Sequence, residues 1–558
     1  MGVVKVLKKS KFWALLLLLI LVLVGCSNSE DETNSKEDLL IELNLVKEPT
    51  YITQYTTKLI HNGTLIKEKN QPISETSLNF REIKTGDYQL KLNAEDNSRN
   101  IIMTKSKNIA IQAEESLTVD FSVDPYPKYK LFTNQQEAVI KAPEKVNLIV
   151  YGGQLNEGQF EEEYELTVTH QAKQFSLQTS SVTKPKAKLD KNISAQEQSD
   201  IRLRRLGQKY LQENNKPALQ SKDLQLQTVA QNRKFVLNQD NDSVQATLVK
   251  ESENAYFYKK DGVSVSDDLI DQFATEFNQN IYDKVLDQFT AKSKSFYDWD
   301  NNGKVIILLT PIDSSSYDNQ TIVGYFHPKD YWAKEDIFTS NEADMFYINT
   351  NAIAKFKNQV LFSTLAHELQ HLLFYGDKKE VRRNEEDTWI NEGLSTVAEY
   401  VTGYTGQNKY VNNSRIPYYF EEPSAYSLRR WDSTLADYGL SNLFTHYFKD
   451  NYGTEVLKEI SAAESIIPYL EKESGLKFDQ LKRNFYTANL TPNNTLEDEF
   501  NYDQPVGGLP FINNVAGDIK QTATLKDDVV RYYSFDTSNS DIKIRISNKN
   551  LNWAVWCE

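Results

Sequence analysis

From about residue 39 to 125, apolar and polar positions alternate in short runs: Leu39 to Val46, Tyr55 to Ile60, Tyr88 to Leu92, Asn100 to Thr104 and Ser116 to Val123. A period of two broken by turn signals such as Thr85-Gly86-Asp87 predicts strands, and their number and spacing predict a small β-sandwich. Residues 126–222 carry further strands at Lys145 to Tyr151 and Tyr164 to Thr169, consistent with either a second β module or a pro-region. From about 186 the chain turns polar, and a helix between Ala195 and Glu213 reads as a linker or lead-in. Residues 223–499 form the longest stretch of mixed pattern. Strands near Val229 to Leu237 and Val244 to Lys250, then a helix from Asp267 to Gln288, precede helices that dominate from Lys355 to about Ala488. That order predicts an α+β domain. Residues 500–558 become β-like again, with Val529 to Phe535 and Ile542 to Ile546, and read as a small C-terminal β module. The whole is therefore expected to be multidomain.

The first 25 residues follow another pattern. Lys5, Lys8, Lys9 and Lys11 precede an almost unbroken apolar run from Phe12 to Val24. The run falls short of the about 20 residues a membrane span needs and reads as an export signal. It ends in Leu23-Val24-Gly25-Cys26, which resembles the lipobox of bacterial lipoproteins. That resemblance implies cleavage before Cys26, acyl chains on Cys26, and a protein anchored in the bacterial cell envelope facing outside the cytoplasm. The alternatives are an uncleaved anchor and an ordinary secretory signal. Ser27 to Asp38, polar and acidic, would be the tether at residues 26–38. The other cysteine is Cys557, so no internal disulfide framework is possible.

The candidate chemistry lies in His367-Glu368-Leu369-Gln370-His371. Histidines four apart on a helix share a face and can offer one nitrogen each to a single zinc, with Glu368 beside it to handle a water proton. The chain has six histidines, so such a motif by chance is improbable. Leu361, Phe362, Leu365, Leu369, Leu372 and Leu373 recur at helical spacing around it, as in a core helix. A catalytic zinc needs a third protein ligand and an open position. Glu392 is the candidate, early in a second apolar-periodic helix that opens at Trp389-Ile390-Asn391-Glu392-Gly393 and runs to Val401. The competing readings are a core helix with satisfied histidines and, for Glu392, a solvated glutamate serving the helix dipole.

These residues resemble the gluzincin metallopeptidases, closely so from Trp389 to Glu399. Over about 250 to 300 residues, in keeping with one catalytic domain, the chain looks like the hyicolysin family of secreted bacterial metallopeptidases. The match begins at Asp298-Trp299-Asp300-Asn301-Asn302-Gly303-Lys304 and continues through Gly324-Tyr325-Phe326 and Ala343 to Thr350. The twenty residues between His371 and Glu392 slightly exceed the commonest gluzincin spacing. The metzincin pattern is excluded, because Phe374 and Asp377 stand where it requires glycine and histidine. The resemblance implies a zincin fold, one catalytic Zn2+ and peptide or protein substrates. It also implies an endopeptidase, since neither Met103 nor Met345 sits in the G-x-M-E-N element of the related aminopeptidases.

Zinc on His367, His371 and Glu392 would bring its water toward neutral pKa, with Glu368 as general base. Tyr438 is the first candidate to meet the oxyanion, by resemblance to a gluzincin segment in which a tyrosine has this duty; His446 is the second. Packing is the competing reading for Tyr438, one of 31 tyrosines. By the same resemblance Glu399, two turns after Glu392, could support the ligands from behind; solvated or structural is the favoured reading, because helical carboxylates usually face water. The resemblance also implies that Ala343 to Thr350 is the sheet edge along which substrate lies, bonding through its main chain.

A net charge of −15 disfavours nucleic acid as a partner. Asp298, Asp300, Asn302 and Gly303 begin like a Ca2+ loop, but the twelfth position is Leu309 rather than glutamate, so a polar turn before a buried strand is favoured. A function of another class is a surface adhesion or binding lipoprotein whose metallopeptidase domain is subsidiary or inactive. Intact Glu368 weighs against it, since folding does not need the base. Specificity, natural substrate and oligomeric state leave no mark in the sequence.

Overall fold

The structure is a computed structural model. It describes residues 37–46, 54–61, 64–72, 77–95, 101–111, 116–122, 129–132, 137–140, 145–152, 161–170, 195–213, 229–237, 242–290, 298–299, 302–314, 321–380, 388–405, 415–432, 434–463, 465–490, 502–504, 506, 508–515, 517–536, 542–548 and 550–557. The export signal, Cys26 and most of the tether lie outside these, as does Asp300.

Seven strands between Glu37 and Ser122 make two sheets. Three strands pair in the order Ser77–Ile83, Glu37–Val46, Ser116–Ser122, and four in the order Thr64–Pro72, Gln54–His61, Gly86–Glu95, Ile101–Ile111. Tyr55, Leu59, Leu90 and Leu92 are fully buried. Lys58 reaches out of this unit to donate to the Gly475 carbonyl at 3.0 Å.

The next strands do not stand apart from the C-terminal ones. Lys145–Gly152 lies between Val530–Asp536 and Leu551–Cys557, and Glu161–His170 between Ile519–Lys526 and Ile542–Ile546. Residues 129–170 and 512–557, read from sequence as separate modules, are thus interleaved in two sheets of five and four strands. The physical reason is one-sidedness. Glu161–His170 buries every second residue, and Tyr164, Leu166 and Val168 need an apolar face that Phe535, Ile544 and Trp553 supply from the far end of the chain.

Between these halves sits the domain that carries the motifs. Its six-stranded sheet runs Asn232–Val236, Ser243–Glu251, Ala255–Lys260, Val305–Thr310, Met345–Asn349, Gly324–Phe326. Val305–Thr310 is parallel to both its neighbours, and Gly324–Phe326 is antiparallel to Met345–Asn349. Both central strands are buried along their whole length. Val305, Ile307, Leu309, Phe346 and Ile348 face the helices, whereas Ile306, Leu308, Met345 and Tyr347 lie on the opposite face in a second cluster with Phe235, Val244, Ala246 and Tyr258. Met345–Asn349 is therefore an interior strand, and the expected edge belongs instead to Gly324–Phe326. The helix expected from Asp267 to Gln288 is interrupted by a π turn at Phe277–Ile281, between Asp267–Glu276 and Tyr282–Phe289. Asn280 in that turn donates to Glu276 Oε1 and to the Thr402 carbonyl. Asp298 accepts from the N–H groups of Asn302 and Gly303, which makes the start of the calcium-like segment a polar turn leading into Val305–Thr310.

Candidate metal centre

Two helices build the centre. Asn358–Glu380 carries the motif and drives Leu361, Leu365, Leu369 and Leu372 fully into the core, which leaves His367, Glu368 and His371 on its remaining inward side. Thr388–Val401 carries Glu392 and is pressed close to Leu435–Tyr452 at Gly393, where a side chain has no room. The long helix Leu435–Tyr452 is started by a reciprocal cap, in which Asp437 N–H donates to Thr434 Oγ1 and Thr434 N–H to the Asp437 carboxylate.

His367, His371 and Glu392 are all buried and their ligand atoms lie within 4.8 Å of one another, the one such cluster among the described residues. The two Nε2 atoms are 3.0 Å apart, and Glu392 Oε2 is 3.7 Å from that of His371 and 3.9 Å from that of His367. Tetrahedral zinc at about 2.0–2.1 Å from each ligand would separate them by about 3.3 Å, so small side-chain adjustments suffice. The donor chemistry fits as well. Both Glu392 oxygens are buried without a hydrogen bond, a costly state for a carboxylate unless a cation joins it.

Each histidine is held from behind. His367 Nδ1 donates to Glu399 Oε1 at 2.8 Å, and Ser363 Oγ donates to the other Glu399 oxygen at 2.9 Å. His371 Nδ1 donates to Asn391 Oδ1 at 3.1 Å. These bonds fix both rings with Nε2 facing the cluster, as metal-binding histidines require. Glu399, its side chain 25% exposed, therefore backs His367 rather than standing free in solvent, which corrects the favoured sequence expectation. Its place seven residues after Glu392 puts both on one helix face. Asn391 was missed because an amide beside a candidate ligand has no signal of its own.

The charges are tightly set. Burial works to lower the His367 pKa, but the bond to Glu399 and the carboxylates of Glu368, Glu399 and Glu392 hold it up at about 9. Burial, the Arg204 charge and the His367 charge drive His371 well below its ordinary value. Burial pushes Glu368 and Glu392 up, opposed by His367 and Arg204. Glu368 Oε2 accepts from Phe326 N–H at 2.7 Å, and its Oε1 is buried without a hydrogen bond.

Tyr438 lies within the first turn of Leu435–Tyr452. It is buried, with the Arg415 guanidinium over its ring at 4.8 Å. Burial and the charges of Glu392 and Asp200 keep its hydroxyl protonated. His446 is buried farther along that helix, edge-on to Tyr400. Three residues that sequence reading missed come from the lead-in helix Ala195–Glu213: Arg204, 4.0 Å from Glu392, and Gln196 and Asp200. Their polarity made that helix look solvated.

No family model matches the chain, and no curated protein is similar to it. A solved leucine-rich repeat protein from Bacteroides thetaiotaomicron is similar over 24% of this chain and 17% of its own length, at 10% identity and a TM-score of 0.13. A likeness that slight carries no argument about fold or function.

Proposed function

We propose that this protein is a zinc-dependent endopeptidase of gluzincin type, held by lipid on Cys26 outside the cytoplasmic membrane. The observation that carries the reading is the convergence of His367 Nε2, His371 Nε2 and an unbonded Glu392 carboxylate in one buried spot beside Glu368. Zinc bound there would supply a Lewis acid that acidifies water and polarises a peptide carbonyl.

The chain's own residues do the rest. Glu368 Oε1, without a partner, takes a proton from the attacking water and returns it to the amine nitrogen as the C–N bond breaks. Its raised pKa suits a group that must both accept and release a proton. The hydroxyl of Tyr438, kept protonated, donates to the oxygen on which negative charge collects. Glu399 and Asn391 keep the imidazoles aimed throughout.

The deciding experiment incubates zinc-loaded residues 27–558 and the Glu368→Gln form with an unstructured protein and sequences the product termini. Internal cuts by the first alone are expected. Equal cleavage by both, or trimming confined to chain ends, overturns the reading. For the anchor, Cys26→Ser should move the protein from the membrane to the soluble fraction; tight membrane association that persists rejects lipidation at Cys26. No helix among the described residues is long and apolar enough to cross a membrane.

A further inference from the structure

The strand Gly324–Phe326 pairs on one side with Met345–Asn349, and on its other side Gly324 and Phe326 present N–H and carbonyl groups outward. A bare edge of this kind accepts an extended peptide as an added strand. Here the groups are taken, and by side chains. Gln196 Nε2 donates to the Gly324 carbonyl at 2.8 Å, while Gln196 Oε1 accepts from Val323 N–H at 2.7 Å and Gly324 N–H at 3.4 Å. Arg204 donates to the Phe326 carbonyl at 3.3 Å. Both side chains project from Ala195–Glu213.

The same helix reaches the candidate chemistry. Tyr438 donates its hydroxyl to the Glu197 carbonyl at 3.5 Å, so the group assigned to a substrate carbonyl already meets a peptide one. Glu197 forms an ion pair with Arg415 at 2.6 Å. Asp200, 2% exposed, feels the charges of Glu368, Glu392 and His367. A peptide on the edge strand would need all of this space.

The chemistry of the contact favours a removable cover. Glu197, Asp200 and Arg204 are buried on the side that meets the candidate centre, beside the buried apolar Ala195, Ile201 and Leu203. Tyr210 and Leu211, near the other end, are anchored in the main core.

We infer that Ala195–Glu213 is a plug seated in the substrate cleft, whose first half must swing off the edge strand before an extended polypeptide can bind there. This rests on the peptidase reading.

The test is amide hydrogen exchange on zinc-loaded residues 27–558, with and without a saturating peptide hydroxamate. Binding should speed exchange across 195–205 by about tenfold or more as that half is displaced. Separately, the double variant Gln196→Ala/Glu197→Ala should hydrolyse a short fluorogenic peptide about fivefold or more faster than wild type, because the closed form is less populated. Hydroxamate binding with unchanged exchange in 195–205 overturns the plug and leaves the peptidase standing. A zinc-loaded double variant that neither binds hydroxamate nor cleaves overturns the peptidase reading, and the plug with it.

Discussion

Replacing Gly393 with alanine tests how the centre is held. An ideal methyl there would sit 2.0 Å from Thr445 Oγ1, 2.8 Å from Ser441 Oγ and 3.0 Å from the Ser441 carbonyl. Ordinary contact needs about 3.5 Å. Thr388–Val401 and Leu435–Tyr452 must therefore part by roughly an ångström or more, which typically costs about 1–3 kcal/mol. The neighbouring residue is Glu392, so that shift pulls one ligand from the other two. Ligand sets tolerate about 0.5 Å, and zinc affinity should fall by about tenfold or more. Calorimetric melting with and without zinc reads the first effect, and competition with a chromophoric chelator reads the second. Thr445 Oγ1 is buried without a hydrogen bond, so Thr445→Ala sacrifices none and removes the nearest obstacle. Added to Gly393→Ala, it should restore part of both losses, with the Ser441 contacts accounting for the remainder. A Gly393→Ala protein that melts and binds zinc like wild type would refute the close helix crossing.

Four further expectations concern the centre. Zinc must displace the His367 proton, so its apparent affinity should climb about tenfold per pH unit between pH 7 and the His367 pKa of about 9, then level off; titration calorimetry in buffers of differing ionisation heat would expose a flat profile. In the metal-free chain the same group, raised from 6.5 to about 9, contributes stability that is complete below pH 6.5 and disappears as pH rises through 9, so melting should decline across that window. Glu399→Gln leaves the fold intact, weakens zinc by about ten- to a hundredfold and moves the levelling point to lower pH; unchanged affinity would return Glu399 to a structural role. Tyr438→Phe should lower turnover by about ten- to a hundredfold with zinc affinity preserved, and full turnover would remove it from the mechanism.

What could be read from sequence depended on whether a residue's neighbours were local. His367, Glu368 and His371 were legible because a single helix sets their spacing. Glu392 was legible because its helix follows at once. Glu399 was underrated, since its partner His367 lies on another helix and a lone helical carboxylate ordinarily faces water. The sheet edge was misplaced because Met345–Asn349 has a strong apolar pattern, whereas Gly324–Phe326 is too short to have any. Ala195–Glu213 was found as a helix but not as part of the site. Its buried face contains Glu197, Asp200 and Arg204, which erase the amphipathic stripe that marks a packed helix. The interleaved sheets were unreadable for a different reason: alternation shows that a strand has an inner face, not which distant strand covers it.

That interleaving has a consequence for how the molecule is made. Lys145–Gly152 has neither of its partners until Val530–Asp536 and Leu551–Cys557 exist. During synthesis this half-built sheet must wait, apolar side uncovered, while several hundred later residues emerge. A product cut short before Leu551 would leave Lys145–Gly152 without one of its two partners, its flank open and sticky.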